Sequence, residues 1–564
     1  MRRLLWVLST LMLLSGPSTA AEITWSIHNN FYVINGAGSA DPKQIGQAEF
    51  FRRLEKAQSC ERAFFEDGSN KAFPCRGPLE HQLNLANVDA QNYSYDRKAV
   101  FGVGRYGEER GKRTITSTRL VKFEGRYSSS VKKPACTWTT DGYVEKSADN
   151  AIDAKAHRCD NYIDLSIGKH KIKLEVLDAR QLAEQVQIEI DVRDVVVVVL
   201  GNSFASGEGN PHRRPSFDSG ADEVSLTSAT KIQRPPVWWE PRCHRSLFSS
   251  AHLGAALAAH ANPHLSVTLL SFACSGASIK KGILGDFVGI ESQADLRRLA
   301  QDGSPIQNNV YKKRLIKPQL DAAERSLCKD KIFEGPGKCG ERLKVDFVIA
   351  AIGMNDLEWV DLVNDAIKGK CKFKGSKRCS QLEAKVADVQ KDTPELFNDA
   401  SKEGLFVEFN TSVRDRLRPE RMLLLGYPSP ALDDDGKYCN DYKNPNKAFL
   451  GNDLLVDLAG FGLSATSNEI VSKGVLDFVV GKMEKFAASS DWKIITPSDG
   501  KGHGYCSSSP WYNSYGHSLI RQGFKISAEG KDVSTGALHP NLTGHYAGAL
   551  LIKKEIENYM ARSP

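Results

Sequence analysis

A serine on a glycine-rich turn is the first residue of this sequence whose setting suits chemistry. Ser203 lies in residues 201–209, directly after the apolar, β-branched run 195–200. A turn of this kind between a buried strand and a helix exposes the serine hydroxyl and leaves backbone N–H groups free beside it. The serine could act as a nucleophile if a base lies nearby. Most turns rich in glycine and serine are only turns, so this one needs support from the rest of the chain.

Three later segments supply that support. Gly276 follows the apolar run 266–272, Asn355 follows the run 345–352, and His539 lies near the C-terminus. Ligands of parallel α/β sheets bind at the carboxyl ends of the strands, so residues that follow such strands can converge. A neutral imidazole is a suitable general base because its pKa lies near working pH. Each residue alone could be structural; in this order they predict one site.

The elements that would position these residues alternate between strand and helix. Continuous apolar runs indicate strands buried on both faces, and helical stretches separate them. This alternation predicts an α/β domain with a parallel sheet and helices on both faces. The predicted strands cover residues 195–200, 266–272, 345–352, 422–426 and 492–496, and the predicted helices include residues 249–260, 318–329, 380–389 and 544–560.

The four blocks resemble those of the GDSL, or SGNH, hydrolase superfamily, which is named for a Ser, a Gly, an Asn and a His. The stretch Cys243-His244-Arg245-Ser246 resembles a feature of its disulfide-containing secreted esterase and lipase branch. The resemblance covers residues 194–564 and implies a three-layer α/β/α sandwich with a parallel sheet.

The resemblance also implies a role for each matched residue. Ser203 would attack an ester carbonyl after losing its proton to His539. The backbone N–H groups of Ser203 and Gly276 and the side-chain amide of Asn355 would form the oxyanion hole. Asp356 would orient its loop rather than react. By the same resemblance, disulfide bonds are expected between Cys243 and Cys274 and between Cys439 and Cys506.

Two positions depart from the family pattern. Asn202 stands where an Asp usually precedes the nucleophile, so we expect altered hydrogen bonding there. Gly536 stands three residues before His539, where the family commonly places an Asp that orients the imidazole. In the branch that this chain resembles, a backbone carbonyl can serve instead, which gives a Ser–His dyad. Asp532 is a possible substitute, although its spacing does not favour it.

The N-terminus predicts export. Arg2 and Arg3 precede the apolar run 4–14 and the small residues 15–21, the order found in a secretory signal peptide covering residues 1–21. We therefore expect a secreted or periplasmic protein. Export makes disulfides the natural use of the twelve cysteines. Short gaps favour the pairs Cys60–Cys75, Cys136–Cys159, Cys328–Cys339 and Cys371–Cys379.

The region between the signal peptide and the α/β domain divides in two. Residues 22–95 have no clear fold. Residues 96–193 contain short runs of alternating polarity separated by turn residues, which predicts half-buried strands. A Cys, a nearby Trp and a second Cys there loosely resemble an immunoglobulin-like or PKD-like sandwich. This region could be a spacer, or it could contact a polymer or a surface.

Two segments of the α/β domain could determine which substrate or which anionic surface the protein binds. Trp238 and Trp239 stand in a proline-stiffened insertion and could bind an acyl chain or a sugar ring, or only cover the sheet edge. Residues 368–378 form a basic stretch that could meet an anionic surface, although a solvated loop is the simpler interpretation.

Composition narrows the classes of function. The net charge of +7 on 564 residues is too mild to indicate nucleic-acid binding, and no later segment is apolar and long enough to span a membrane. No cysteine pair has the CxxC spacing of a zinc or redox site, so neither metal nor organic cofactor is expected. The sequence predicts a secreted carboxylic ester hydrolase acting on a lipid, a phospholipid or an acylated carbohydrate. The alternatives are a glycan-directed enzyme of the same fold and a non-catalytic surface-binding or polymer-binding protein on a decayed hydrolase fold.

Overall fold

The computed structural model contains two compact units. One combines residues 21–30, 118–194 and 263–266 and is rich in β-structure; the other contains most of residues 195–562 and is α/β. Apart from short gaps within these ranges, the structure describes residues 21–31, 118–211, 216–217, 232–289, 316–328, 336–392, 396, 404–441, 463–522 and 536–562. Residues 1–20 of the predicted signal peptide lie outside the described residues, as do Cys60, Cys75, Trp239 and Asp532.

The β-rich unit consists of two antiparallel sheets. The first has the order β1-β2-β6-β5, and the second has the order β8-β7-β3-β4. Buried and partly exposed residues alternate along β2, β6 and β7, as the alternating sequence predicts. The strands are β1 (Glu22–Ile27), β2 (Thr118–Arg126), β3 (Pro134–Thr140), β4 (Tyr143–Glu145), β5 (Ala151–Asp153), β6 (Arg158–Ser166), β7 (Gly168–Asp178) and β8 (Gln181–Gly201).

A shared apolar core holds these two sheets together. Trp138 of β3 is fully buried, and its ring centroid lies 5.5 Å from that of Phe123 of β2. A disulfide bond joins Cys136 of β3 to Cys159 of β6, so it links one sheet to the other. The assignment of this unit to an immunoglobulin-like or PKD-like fold stays a prediction.

Strand β8 differs from the sequence-based expectation. The change from alternating to continuous apolar residues near Val195 predicted a new strand at a domain boundary. The two compact units do divide between Asp194 and Val195. No new strand begins there, however, because a single strand of 21 residues runs from Gln181 to Gly201. Residues 181–192 pair with β7 and are mostly exposed or half-buried, whereas residues 197–201 pair with β12 (Phe347–Ala351) and are fully buried. The change in the sequence pattern therefore reflects a change in what surrounds the strand, and the strand itself is continuous.

The α/β unit has a parallel sheet at its centre. Here β8 pairs in parallel with β12, β12 with β13 and β13 with β14, while β11 pairs with β8 on its other side. Residues of β11 and β12 are buried throughout, which explains their continuous apolar sequences. The remaining strands are β9 (Ser216–Phe217), β10 (Ile232–Arg234), β11 (Leu265–Ser271), β12 (Phe347–Ala351), β13 (Arg421–Leu425) and β14 (Lys493–Ile495).

Helices connect these strands, as the sequence predicted. The helices α2 and α10 pack against each other, and α3 packs against α6. In chain order they are α1 (Ser203–Ser206), α2 (Ser250–Ala261), α3 (Gln319–Leu327), α4 (Trp359–Lys368), α5 (Lys377–Asp392), α6 (Leu405–Leu417), α7 (Ala465–Val471), α8 (Asp477–Ser489), α9 (Tyr515–Gln522) and α10 (Leu542–Arg562). Short 3₁₀ turns cover Pro241–Cys243 and Asn355–Leu357, and the π-helical turn Ser472–Leu476 joins α7 to α8.

Disulfide bonds cross-link both units. Besides Cys136–Cys159, the described residues contain four bridges in the α/β unit, namely Cys243–Cys274, Cys328–Cys339, Cys371–Cys379 and Cys439–Cys506. These are the pairs that spacing and resemblance led us to expect. Within the described part of the chain, no helix has the length and apolar character needed to cross a bilayer.

Candidate active site

Ser203 lies at the carboxyl end of β8, as the first residue of α1. The strand turns sharply there because Gly201 has a φ of 125° and lies against the backbone of Ala351, where no side chain would fit. Asn202 then caps the helix: its Oδ1 accepts a hydrogen bond of 3.1 Å from the backbone N–H of Phe204. The turn leaves Ser203 half-buried at the edge of the sheet.

His539 is the partner of Ser203. Its Nε2 lies 2.7 Å from the Ser203 hydroxyl oxygen, and its Nδ1 lies 3.1 Å from the carbonyl oxygen of Ala537. A carbonyl oxygen can only accept, so Nδ1 carries the ring proton and Nε2 is free to accept the serine proton. Leu538, between them, has the left-handed φ of 60°, which folds the Ala537 carbonyl back onto the ring.

The surroundings of His539 favour its neutral form. Burial lowers the pKa of the ring, and this effect outweighs the opposing influence of the Glu208 charge and of the Ala537 carbonyl. A lowered pKa keeps the imidazole unprotonated at neutral pH, which is the state that a general base requires. His545, the other histidine of this segment, is buried on α10, and burial lowers its pKa to about 3.

Asn202 makes the altered hydrogen bonds that its sequence position suggested. Its Nδ2 donates to the hydroxyl of Tyr427 over 2.9 Å, and that hydroxyl donates to the carbonyl oxygen of Ile352 over 3.2 Å. Since the tyrosine proton is already engaged, this position requires a donor, which an ionised Asp lacks. The amide therefore both caps α1 and fits the buried tyrosine.

Gly276 and Asn355 face the same edge of the sheet. The loop that carries Gly276 is tied to the nucleophile turn, since Cys274 N–H donates to the Gly201 carbonyl oxygen over 2.9 Å. Asn355 Nδ2 donates to the Ala277 carbonyl oxygen over 2.9 Å, which fixes the amide beside this loop. Among the described residues, the backbone N–H groups of Ser203 and Gly276 have no protein acceptor. These groups are the donors that an oxyanion hole needs.

Asp356 fastens the same loops together. Its carboxylate accepts a hydrogen bond of 2.9 Å from the backbone N–H of Ile279. Burial raises the pKa of this carboxyl to about 6, against the opposing effect of its backbone hydrogen bonds. Its contacts are those of a residue that orients a loop.

The sequence analysis did not identify a group of buried residues that packs around position 536, three residues before His539. A side chain at position 536 would collide with the side chain of Gln522 and come within 2.8 Å of the Ser518 hydroxyl. Gln522, on α9, therefore fills the space that the usual Asp would take. Its Nε2 donates to Oε1 of Glu208, which follows the nucleophile by five residues. The sequence signal was this acidic residue between the glycines of the nucleophile loop.

Glu208 is a buried carboxylate, only 1% exposed. Besides Gln522 it accepts a hydrogen bond from the Ser275 hydroxyl, and both its oxygens lie 3.0 Å from His244 Nδ1. Burial alone would raise the pKa of this carboxyl, but His244, His539 and the Ser275 hydroxyl together lower it to about 2. Glu208 is thus a buried anion on the loop after Ser203, linked through Gln522 to the histidine block, residues 536–539.

Trp238 lies on the far side of this group. Its ring is 1% exposed and stacks on His244 with ring centroids 4.4 Å apart. The enclosed ring shields the Glu208–His244 pair from water and presents no open face to a substrate. Among the described residues, no group of three or more His, Cys, Asp or Glu side chains is arranged to hold a metal ion.

Comparisons with known proteins give matches only among solved structures. No family model matches the chain, and no curated protein matches it in sequence. Among solved structures, an extracellular lipase of Streptomyces rimosus is 18% identical, with 64% of this chain and 99% of that chain covered and a TM-score of 0.35. A phospholipase A1 of Streptomyces albidoflavus is 17% identical, with coverages of 64% and 98% and a TM-score of 0.33.

A third solved structure is described as a carbohydrate esterase. It is 13% identical, covers 78% of this chain and 91% of its own, and has a TM-score of 0.23. At these scores the functional assignment has to rest on the geometry of the site.

Proposed function

We propose that this chain is a secreted carboxylic ester hydrolase with a Ser203–His539 dyad on an SGNH-type three-layer α/β/α fold. The observation that carries the proposal is the distance of 2.7 Å between Ser203 Oγ and His539 Nε2, with Nδ1 bound to a backbone carbonyl. A nucleophile, a base and a group that orients the base form the arrangement that covalent catalysis requires.

The first half of the reaction forms an acyl-enzyme. Ser203 Oγ attacks the ester carbonyl carbon while its proton passes to His539 Nε2. The negative charge that develops on the carbonyl oxygen is stabilised by the backbone N–H groups of Ser203 and Gly276 and by the Asn355 amide. As the tetrahedral intermediate collapses, the imidazolium returns the proton to the leaving alkoxide, and the alcohol departs.

The second half releases the acid. His539 takes a proton from a water molecule, whose oxygen attacks the acyl carbon and forms a second tetrahedral intermediate in the same oxyanion hole. Collapse of this intermediate breaks the bond to Ser203 Oγ, and the imidazolium returns the proton to that oxygen. The enzyme is restored, and one water has been consumed for each ester cleaved.

The two departures from the family pattern motivate the non-catalytic alternative, and the local geometry favours catalysis over it. Asn202 still caps the nucleophile helix, so the position of Ser203 does not require an Asp. Gly536 lacks a carboxylate, but the Ala537 carbonyl occupies the orienting position on the ring. In a hydrolase fold that had lost its activity, no selection would keep the serine hydroxyl within hydrogen-bond reach of an unprotonated ring nitrogen.

The experiment compares the purified mature protein with Ser203→Ala on short p-nitrophenyl esters. We expect the variant to lose at least about a thousandfold in kcat, because the nucleophile is removed. Ser326→Ala is the matched control, since that buried hydroxyl only bonds the Ala322 carbonyl on α3 and should leave the rate unchanged. Equal rates for wild type and Ser203→Ala would falsify the catalytic assignment.

The substrate class is the finer part of the proposal. Lipid, phospholipid and acylated carbohydrate esters all present the carbonyl that this site would attack, and the glycan-directed enzyme is the second candidate. Tyr162, on β6 of the β-rich unit, is 37% exposed and is the kind of ring on which a sugar stacks. A panel of matched lipid and glycan acetyl esters separates the two by the ratio of their kcat/KM values.

A further inference from the structure

A catalytic dyad without an acidic member lacks a charge as well as an orienting group. In a Ser–His–Asp triad the Asp fixes the ring tautomer and also stabilises the imidazolium that forms when the serine loses its proton. The Ala537 carbonyl replaces the first function, since it accepts from Nδ1 over 3.1 Å. A carbonyl dipole compensates a full positive charge less well than a carboxylate does.

Another side chain occupies the space that a carboxylate at position 536 would take. Gln522 fills the place of a side chain at position 536, and its amide donates to the carboxylate of Glu208. Gly209, next to Glu208, packs on the same segment, because a Cβ at 209 would lie 3.4 Å from the Gly536 carbonyl oxygen. The loop after Ser203 therefore places a carboxylate close to position 536, where the family commonly has its Asp.

We propose that Glu208 is a positioning residue that supplies, from the nucleophile loop, the negative charge which the family's Asp supplies from the histidine block. The proposal rests on the proposed function of the dyad. Glu208 does not touch His539 or the substrate and takes no proton during the reaction. Its charge stabilises the protonated ring through space, in surroundings from which water is largely excluded, and the hydrogen bond from Gln522 holds the carboxylate in place.

The other contacts of Glu208 suit this role. Ser275, which donates to its Oε2, stands directly before Gly276, and the Ser275 hydroxyl also lies 2.9 Å from that of Ser206. One buried anion thus joins the nucleophile turn, the oxyanion loop and, through Gln522, the histidine block. Burial by itself would favour the protonated acid, but the partners of Glu208 favour the carboxylate and lower its pKa to about 2.

Other charged groups near the ring set the background for a pH test. His545 on α10 is neutral above a pKa of about 3, so it contributes no charge near neutral pH. Arg521 on α9 binds Asn210 of the nucleophile loop over 3.0 Å, and His244 lies behind Glu208. The Arg521 cation opposes a positive ring, so removal of the Glu208 charge leaves that opposition uncompensated.

The test is the pH dependence of kcat/KM for Glu208→Gln. Glu208 raises the pKa of His539, so its removal should move the acid-side midpoint to lower pH and reduce the plateau rate. We expect a shift of about one pKa unit and a loss of roughly tenfold, the equivalent of one such unit. Glu208→Asp, which keeps the charge, should restore the midpoint even if its shorter side chain lowers the rate.

Glu324→Gln is the matched control. Glu324 is also a carboxylate only 1% exposed in the α/β unit, but it binds Arg416 and the Gly337 N–H. Its replacement should leave the midpoint at the wild-type pH. If Glu208→Gln does not fold, Gln522→Leu cuts the hydrogen bond that holds the carboxylate and should move the midpoint in the same direction.

A second measurement separates this proposal from the proposed function. In the Ser203→Ala background, NMR titration of the His539 ring needs no catalysis, and Glu208→Gln should lower its pKa there too. A loss of rate with an unchanged midpoint and an unchanged ring pKa would mean that Glu208 is only structural and would overturn the proposal. A wild-type protein inactive on all esters would overturn the proposed function, while the ring titration would still report on Glu208.

Discussion

At the scale of single residues, several groups in the proposed site together replace the Asp that the family commonly places at position 536. The Ala537 carbonyl orients His539, while Gln522 takes the volume that an Asp at 536 would need. Asn202 caps the nucleophile helix and donates to Tyr427 at the same time. Both departures from the family pattern have a local physical reason.

Asn355 provides the residue-scale prediction. Asn355→Ala removes the one side-chain donor of the proposed oxyanion hole and should lower kcat by about 10²- to 10³-fold with little change in KM. The reason is that this amide meets full negative charge only in the transition state. Steady-state kinetics on a p-nitrophenyl ester measure the effect. Asn262→Ala, at the end of α2, is the control; a tenfold rise in KM at constant kcat would contradict the assignment.

At the scale of elements, the carboxyl edge of the sheet is stiffened by covalent and polar links. The bridge Cys243–Cys274 joins the 3₁₀ turn before α2 to the loop after β11, directly before Ser275 and Gly276. The Ser275 N–H also donates to the Cys243 carbonyl oxygen over 3.0 Å. The loop that carries Gly276, the proposed oxyanion donor, is therefore fixed at its beginning.

Removal of this bridge should have two separable effects. The double variant Cys243→Ser/Cys274→Ser should lose about 2–4 kcal/mol of unfolding free energy, as is typical for a native disulfide. It should also lose activity at temperatures where it is still folded, because the Gly276 loop is released. Cys328→Ser/Cys339→Ser, which opens a bridge between the end of α3 and a later loop, should lose stability alone. Thermal unfolding and kcat are measured on both double variants. Equal kcat values would argue against a specific role of the Cys243–Cys274 bridge in holding the Gly276 loop.

At the scale of the whole molecule, the buried anion links stability to acidity. The folded-state pKa of Glu208 is about 2, below its ordinary value of 4.5. A group whose pKa is lowered on folding stabilises the protein above its unfolded pKa, and this stabilisation is lost as the pH falls from about 4.5 towards 2. We expect the urea midpoint of the wild type to fall through this range, and Glu208→Gln to lose less over it. Urea unfolding at pH 7, 4.5 and 3 measures this, and parallel losses in both proteins would argue against a linked Glu208.

The sequence alone predicted the alternation of strands and helices in the α/β unit and the order of the candidate site residues. Buried parallel strands need continuous apolar runs, and a nucleophile needs its glycine-rich turn, so both leave local signals at Ser203, Gly276, Asn355 and His539. Only the tertiary structure decided what stands in for the missing Asp and that β8 continues as one strand past the boundary between the two units near Val195. Ala537 acts through a backbone carbonyl that every residue has, and Glu208 meets Gln522 across more than 300 residues. Such contacts depend on how distant segments pack, and no local pattern records them.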